Sequence, residues 1–288
     1  MMTLLRKIRF AAGTAMEVAF GLVFLSPSGQ ALWKRWQHRS QRSADNVQST
    51  RLGMVAHVFY PDMLPEILDI WRRFPAGSKL VVTTTPETLD KVRAGFEGVD
   101  ATIRVLENRG RDIAPLLHLL AEGVFDDFDA VLKLHTKRSP HLLNGGIRRR
   151  MLLAMLGGSD MQIRKAANQF QSPRVGVVGW AACYRTRPAY WMANRERVTA
   201  AMKAVGSLEQ PAVAFFEGSM FWFRPQAIKV LAIPFGDQMA YEHEAGQLDG
   251  ALQHAIERCF VLAAAHEGYD THSMSGKRLY AAAAGKNR

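Results

Sequence analysis

The sequence predicts an α/β fold with a Rossmann-like, largely parallel sheet, because short apolar runs alternate with stretches of helical character. The first run, GMVAHVFY at residues 53–60, indicates a buried strand, and a helix from Met63 to Arg73 follows Pro61 and Asp62. The chain has 288 residues, of which 48% are hydrophobic and 22% charged. This composition allows a sizeable core and argues against global disorder.

Three further strands alternate with helices in the first half of the chain. Thr85, Pro86 and Glu87 supply a cap, a first-turn proline and an early acid, the preferred order at a helix start. Asp112 is placed to cap the helix IAPLLHLLAEG. This alternation predicts parallel βαβ units. The strands are KLVVTTT at 79–85, ATIRVL at 101–106 and Ala130 to Leu134 in FDAVLKL.

The second half is predicted to complete the same domain. Helices fill residues 147–170, and RVGVVGW at 174–180 is a fifth strand. AFFEGSMFWFRP at 214–225 is a strand or a hairpin, and a last helix runs from Leu248 to Cys259. The predicted organisation is a basic segment at 1–50, one ordered domain at 51–276 and a frayed tail at 277–288.

The N-terminal segment consists of an apolar run flanked by basic residues. Residues 1–51 hold eight Lys or Arg and two acids, and Phe10 to Leu25 form an apolar run interrupted by Glu17. WKRWQHRSQR then places aromatic residues among cations. This pattern favours an amphipathic helix docked on an anionic membrane surface. A short true span and a helix packed on the domain are the alternatives.

The whole chain carries a net charge of +11, which suits a phosphate-rich partner. No recognisable nucleic-acid reading motif is present, so nucleic acid is not the expected partner. No GxGxxG or P-loop follows the first strand, which disfavours dinucleotide oxidoreductases and P-loop nucleotidases. Cys183 and Cys259 lack metal-ligand spacing and are expected to be reduced, buried thiols of a cytosolic protein.

A cationic tip, KLHTKRS, ends the fourth strand. In nucleotide-sugar transferases of the GT-A type, a strand at this place usually ends in two Asp that hold a divalent ion. Here His135, Thr136, Lys137 and Arg138 stand instead, and the two cations can neutralise a diphosphate directly. Donor binding without a divalent metal or other cofactor is therefore expected. An exposed basic loop is the alternative.

A second stretch, ENRGRDIAP, joins the third strand to the next helix. Arg109 and Arg111 are candidate diphosphate ligands beside a flexible glycine. Asp112 and Asn108 are candidates for the donor ribose or sugar. The alternative is a capped turn with solvated arginines.

A third set of candidates lies in EGSMFWFRP and in YEHEAGQLDGALQHAIER. Glu217, Glu244 and Asp249 are candidate catalytic bases for activating a hydroxyl. Phe221 and Trp222 are candidates for stacking on an acceptor sugar, with a core position as the alternative. A capping role is equally open for Asp249.

These stretches together resemble the bacterial rhamnan synthesis protein F family. The similarity covers about residues 53–258, and family members are often longer, multi-domain chains. It implies a GT-A-like glycosyltransferase domain that helps to build rhamnose-containing cell-surface polysaccharide, such as O-antigen. The motifs that carry it, in the family's order, are HVFYPDMLPEIL, ENRGRDIAPLL, FDAVLKLHTKRS, EGSMFWFRP and GQLDGALQHAIER.

The resemblance and the residues lead to one expected reaction. A deoxyhexose, with rhamnose from dTDP-rhamnose as the favoured donor, moves to a lipid-linked glycan acceptor. The protein is expected peripherally at the cytoplasmic face of the bacterial inner membrane, where such acceptors lie. The alternative is a non-catalytic partner subunit of a polysaccharide-synthesis complex.

Overall fold

The computed structural model describes residues 50–138, 145–247 and 249–283. The predicted docking segment therefore lies outside the described residues, apart from Thr50. Within the described ranges, no helix combines the length and apolar character needed to cross a bilayer.

The strands follow the predicted alternation in the first half of the chain. Short 3-10 turns, at Pro61–Met63 and Pro86–Thr88, precede the first two helices between them. The strands are β1 (Leu52–Val58), β2 (Lys79–Thr84), β3 (Thr102–Val105), β4 (Ala130–His135), β5 (Val175–Gly179), β6 (Tyr184–Arg185), β7 (Phe215–Phe216), β8 (Phe221–Phe223), β9 (Asp270–Ser273) and β10 (Arg278–Tyr280). The helices are α1 (Leu64–Trp71), α2 (Leu89–Gly95), α3 (Ile113–Ala121), α4 (Gly145–Gly157), α5 (Asp160–Phe170), α6 (Arg195–Ala204), α7 (Pro225–Ile228), α8 (Ala232–Phe235), α9 (Leu252–Glu257) and α10 (Phe260–His266).

The strand order places a switch point at the centre of the sheet. The main sheet runs β10-β9-β5-β8-β4-β1-β2-β3, and β1 to β4 are parallel. β2 and β3 extend to one side of β1, whereas β4 lies on its other side. In open α/β sheets, ligands bind outside the carboxyl ends of strands at such a reversal. The carboxyl ends of β1 and β4 are therefore where a ligand is expected.

Helices cover both faces of the sheet, which gives three layers. Alternate strand residues point to opposite faces, so Val131 joins the core under α3, α9 and α10, whereas Leu132 joins the core under α1, α4 and α5. Lys133 and His135 share the face of Val131. The prediction of an α/β fold is confirmed, and the sheet is mixed but largely parallel, which is compatible with a Rossmann-like fold.

The strand predicted within residues 214–225 is present as β8, but the hairpin alternative and two other predictions for the C-terminal part of the chain were wrong. β7 and β8 form no hairpin with each other, because β7 pairs with β6 and β8 inserts antiparallel between β4 and β5. The predicted last helix shortens to α9. The tail expected to fray from residue 277 contains β10, which pairs with β9, and Ala283 N–H donates to the Ala265 carbonyl at 3.0 Å. Cys183 and Cys259 are buried, free thiols.

Candidate active site

A cluster of buried polar side chains lies at the carboxyl ends of β1 and β4. His57 and His135 are direct partners in the register of the two strands. Lys133, two residues earlier on β4, shares their face of the sheet, and Asp112 lies above them at the start of α3. The switch point of the sheet is therefore lined by one carboxylate, one ammonium and two imidazoles.

Lys133 is the centre of this cluster and is only 1% exposed. Its Nζ donates to a carboxylate oxygen of Asp112, to the Ser219 carbonyl at 2.6 Å and to Ser219 Oγ at 3.1 Å. Burying a charge is costly unless it is paired and hydrogen-bonded, and here all three ammonium protons have acceptors. Lys133 thus ties the start of α3 to the turn before β8.

Asp112 has a different role from the two that were predicted. It stands at the N-cap of α3, but its side chain makes no cap hydrogen bond. Burial acts to raise its pKa, but the charge and the hydrogen bond of Lys133 outweigh burial and hold the pKa far below its ordinary value. Its carboxylate is thus committed to the buried cluster, which argues against binding a donor ribose or sugar.

The two histidines are held in the neutral state. Burial lowers the pKa of His57 to about 4 and that of His135 to about 3. His57 Nδ1 lies 3.0 Å from Thr83 Oγ1, and His135 Nδ1 lies 3.3 Å from Asp112 Oδ2 without hydrogen-bond geometry. The prediction that His135 supports a diphosphate is weakened, because a neutral imidazole adds no positive charge.

Both turns that meet at Lys133 have left-handed backbone. Gly110 and Arg111 have φ values of 64° and 53°, and Gly218 and Ser219 have values of 93° and 51°. A Cβ on Gly110 would lie 2.5 Å from Ala114 Cβ and 2.6 Å from the Tyr241 ring, so glycine is required there. Positive φ at non-glycine residues persists only where the surroundings enforce it, and such strain clusters at functional sites.

The cationic tip of β4 divides into residues with different roles. Thr136 is buried, and its Oγ1 accepts the Phe59 N–H at 3.0 Å and the Tyr60 N–H at 2.9 Å, which fixes the end of β1. Arg138 is exposed, donates to Asp62 at 2.9 Å and lies over the Tyr60 ring. Lys137 is half-buried beside the cluster, and its charge acts on His135.

The arginines of the second predicted stretch hold a loop. Arg109 donates to the Tyr241 carbonyl at 2.9 Å and contacts His243. Arg111 forms two 2.8 Å bonds to the Glu244 carboxylate and donates to the Gln247 carbonyl at 2.5 Å. Both guanidinium groups are largely occupied by these contacts, which limits their part in binding a diphosphate. Asn108 is half-buried in the same turn.

The three predicted bases are each paired with cations or strong donors. Glu217 accepts from Arg148 at 2.7 Å and from Arg185 at 2.7 Å. Burial acts to raise the pKa of Glu217, but these arginines, led by Arg148, outweigh burial and lower the pKa. Glu244 is held by Arg111, and its hydrogen bonds from that guanidinium lower its pKa.

Asp249 is likewise occupied. It accepts the Ala193 N–H at 3.0 Å and the Asn194 amide at 2.6 Å, just before α6, so it does not cap α9. Burial acts to raise the pKa of Asp249, but these hydrogen bonds act against it, and the pKa is lowered. A lowered pKa makes a carboxylate a weaker base, so none of the three is well suited to the predicted role.

The aromatic pair predicted to stack on a sugar lies in the core instead. Phe221 and Trp222 are 2% and 0% exposed and point to opposite faces of the sheet. Phe221 packs on Phe260 at a ring distance of 5.2 Å. Trp222 stacks on Phe74 at 5.6 Å and donates its Nε1–H to the Leu156 carbonyl. The stacking prediction is therefore wrong, because β8 is a central strand with both faces covered.

Two residues of α9 were missed as candidates. Glu257 Oε1 accepts the Gly218 N–H at 3.2 Å, and burial raises its pKa against the opposing charge of Lys137. Gln253 is 2% exposed, and both polar atoms of its side chain lack a protein partner. The sequence does contain a signal for them, because Gln253 and Glu257 are four residues apart in GQLDGALQHAIER. This spacing places both side chains on one face of a helix.

Across the described ranges, no group of three or more His, Cys, Asp or Glu side chains is arranged to hold a metal ion. The polar residues at the end of β4 are Lys133, His135, Thr136, Lys137 and Arg138, and the nearby Asp112 is already paired with Lys133. Divalent ions such as Mg²⁺ prefer several oxygen ligands, and this set of side chains offers few.

Comparison with known proteins identifies the relatives of this chain. A protein named WxcX, described as uncharacterized, from Xanthomonas campestris pv. campestris strain B100 is 31% identical over 267 residues. The WxcX of strain ATCC 33913 matches to the same extent. The match covers 90% of this chain and 37% of each relative, so the chain spans little more than a third of their length. The family model described as Rhamnan synthesis protein F matches residues 32–269, and the chain therefore belongs to the rhamnan synthesis protein F family.

Proposed function

We propose that this chain is a glycosyltransferase of the GT-A type in cell-surface polysaccharide synthesis. It moves a deoxyhexose, with rhamnose as the expected sugar, from a nucleoside diphosphate to a hydroxyl of a lipid-linked glycan. Membership of the rhamnan synthesis protein F family supports the pathway. The observation that carries the chemistry is the half-buried Lys137 beside the buried cluster, at the switch point of the sheet.

The donor diphosphate is assigned to the carboxyl ends of β1 and β4. Lys137 supplies the cation that faces the leaving group, and Arg138 adds charge at the rim despite its contact with Asp62. A preorganised cation stabilises the charge that develops as the diphosphate departs. Lys133 serves differently: it holds the surrounding turns in place, since its protons are all used.

The cations at the end of β4 also support donor binding without a divalent ion. Calorimetry with dTDP-rhamnose, with and without a chelator, tests this proposal. We expect equal affinities, because Lys137 and Arg138 can neutralise the diphosphate directly. An affinity that collapses in chelator and returns with Mn²⁺ would contradict it.

A non-catalytic partner role is favoured by one observation. Glu217, Glu244 and Asp249 are all held by cations or hydrogen-bond donors and have lowered pKa values. If no other group can act as the base, the domain binds a nucleotide sugar or glycan without transferring it. Transfer by the purified protein separates the two proposals.

The decisive experiment is a panel of dTDP-, UDP- and GDP-sugars. Thermal unfolding reports binding, because a ligand of the native state raises the melting temperature by mass action. Transfer to an octyl rhamnoside acceptor then reports catalysis. Binding with transfer supports the glycosyltransferase, binding without transfer supports the partner subunit, and the absence of both contradicts each proposal.

The proposal places the protein peripherally on the cytoplasmic face of the inner membrane. Eight basic residues within positions 1–51 support electrostatic attraction to anionic lipids. Washing membranes with carbonate or high salt should release the protein. Retention until detergent is added would favour a spanning segment instead.

A further inference from the structure

Glu257 differs from the three predicted bases in its surroundings. Its side chain is 21% exposed, and the Gly218 backbone N–H is its hydrogen-bond donor at 3.2 Å. Arg258 is only a distant partner, with Nη1 at 4.0 Å, because its guanidinium is engaged by the Tyr190 and His254 carbonyls. Glu257 is therefore a carboxylate held by a neutral contact and still open to a ligand.

The turn that binds Glu257 is the same turn that binds Lys133. Gly218 donates to Glu257, and the next residue, Ser219, accepts twice from the Lys133 ammonium. Both turn residues have positive φ. Glu257 is thus fixed relative to the switch point, where Lys137 also lies close enough for its charge to act on the Glu257 carboxyl group.

Gln253 extends this arrangement by one helical turn. Residues four apart lie on the same face of a helix, so Gln253 lies on the side of α9 that carries Glu257. Its amide is buried, and neither Nε2 nor Oε1 has a protein partner. Buried polar groups are nearly always hydrogen-bonded, so this amide is suited to a polar ligand such as a sugar hydroxyl.

We infer that Glu257 is the catalytic base that accepts the proton of the acceptor hydroxyl, and that Gln253 binds the acceptor sugar beside it. This inference rests on the proposed glycosyltransferase function. The hydroxyl proton moves to Glu257, and the hydroxyl oxygen forms a bond to the anomeric carbon of the donor. The bond from that carbon to the diphosphate oxygen breaks, and its electron pair leaves with the nucleoside diphosphate, facing Lys137.

The raised pKa of Glu257 fits this role, because a base is most effective when its pKa approaches the working pH. The step is a single displacement, so the anomeric configuration of the transferred sugar must invert. The product stereochemistry is therefore a second, independent consequence of the same inference.

The first test compares the parental protein with Glu257→Gln, Glu257→Asp and the control Glu122→Gln. Glu122 is an exposed acid paired with Arg104 at the far end of α3. With dTDP-rhamnose and octyl rhamnoside, Glu257→Gln should lower kcat by about 10²- to 10⁴-fold, the usual contribution of a general base. Its affinity for dTDP should stay within about twofold, since the base acts only in the transition state. Glu257→Asp should retain part of the rate, and Glu122→Gln all of it.

The second test uses Gln253→Leu, which keeps the volume and removes the polar atoms. Replacing an unpartnered buried amide by an apolar group should leave the melting temperature unchanged or higher. The KM for the acceptor should rise by about tenfold, the value of one lost hydrogen bond to substrate. A lower melting temperature with an unchanged acceptor KM would show that Gln253 is structural.

The outcomes distinguish this inference from the proposed function. If the parental protein transfers sugar but Glu257→Gln does so within about threefold of it, another group is the base and the inference fails. Retention of the anomeric configuration also overturns it. If the parental protein neither binds nor transfers any sugar of the dTDP, UDP and GDP panel, the proposed function fails and this assignment with it.

Discussion

The two ends of the central strands differ sharply in chemistry. At the amino ends of β1, β2 and β4, polar contacts are peripheral: the Arg51 N–H donates to Asp129 at 2.7 Å, and Lys79 Nζ to the Val124 carbonyl at 3.3 Å. At the carboxyl ends, Lys133 and Asp112 form a buried ion pair flanked by two strained turns. The same strands thus have amino ends with peripheral polar contacts and carboxyl ends that hold a buried ion pair.

Burying charged groups at the carboxyl ends of the strands lowers the stability of the fold. Two charges lose most of their hydration when they are buried, and their attraction compensates only with good geometry and complete hydrogen bonding. Stability alone would favour carboxyl ends whose polar contacts are as peripheral as those at the amino ends. Buried charge and positive φ at one edge therefore indicate a site where polar groups must be held in fixed positions.

The largest effect is expected from breaking the buried pair. Lys133→Met should lower the free energy of unfolding by about 3–5 kcal/mol, because Asp112 is left buried without its counter-charge. Lys79→Met is the matched control at the amino ends of the strands. Its free energy of unfolding should change by about 1 kcal/mol, for the loss of one hydrogen bond. Urea unfolding measures both.

A double variant sharpens this result. Replacing both partners, as Lys133→Met with Asp112→Leu, should recover much of the stability, since no uncompensated charge remains. If Lys133→Met and Lys79→Met lower the free energy of unfolding equally, the two ends of the strands do not differ energetically and the comparison fails.

The next effect concerns catalysis rather than stability. Lys137→Ala should slow sugar transfer by on the order of a hundredfold to a thousandfold, because a preorganised cation at the leaving group is lost. Its free energy of unfolding should change by no more than about 0.5 kcal/mol. Lys137→Arg should recover part of the rate. Lys203→Ala, an exposed lysine on α6, is the control. Near-parental transfer by Lys137→Ala would remove this residue from the site.

The pH dependence of stability reports the neutral histidines. In the folded state the pKa of His57 is about 4 and that of His135 about 3, both below the ordinary value of 6.5. The unfolded chain therefore binds protons first, and stability is lost as the pH falls from about 6.5 towards 4. Each histidine contributes up to about 1.4 kcal/mol per pH unit.

Urea unfolding at several pH values measures this slope. His57→Gln and His135→Gln should each make it shallower, because each removes one imidazole that is neutral only in the folded state. A stability that stays constant between pH 6.5 and 4 in the parental protein would show that these imidazoles are not held neutral.

The smallest effect is expected at Thr136. Thr136→Val keeps the shape but removes the acceptor of the Phe59 and Tyr60 N–H groups, which should cost about 1–3 kcal/mol if water cannot replace it. Because these bonds fix the end of β1, affinity for dTDP should also weaken. The control is Thr199→Val on α6, whose hydroxyl donates within an exposed helix face. Equal effects of the two substitutions would mean that the end of β1 needs no such support.

Local patterns in the sequence predicted the first four strands and their parallel order. They failed where the decisive partner is distant along the chain. Arg111 and Glu244 are 133 residues apart, and their pairing engages one predicted ligand and one predicted base with each other. Lys133 could have been noticed, because a lysine within the apolar run of β4 requires a buried counter-charge.

The same limit explains the errors on β8 and α9. Phe221 and Trp222 form a short apolar run that suits an edge strand or a core strand equally, and only the insertion of β8 between β4 and β5 decides. Glu257 lies within the predicted last helix, where an acid is ordinarily solvated. Its raised pKa follows from burial beside the turn at Gly218, and that burial depends on distant parts of the chain that no helical periodicity reveals.

The insertion of β8 has a consequence for synthesis on the ribosome. β4 pairs with β1 on one side, but its other side is closed only by β8, which follows it much later in the chain. At about 5–20 residues per second, the nascent chain exposes an apolar strand edge for several seconds before β8 emerges. Unpaired edges of this kind invite intermolecular pairing. Chaperone demand should therefore be greatest while residues 136–220 are being translated.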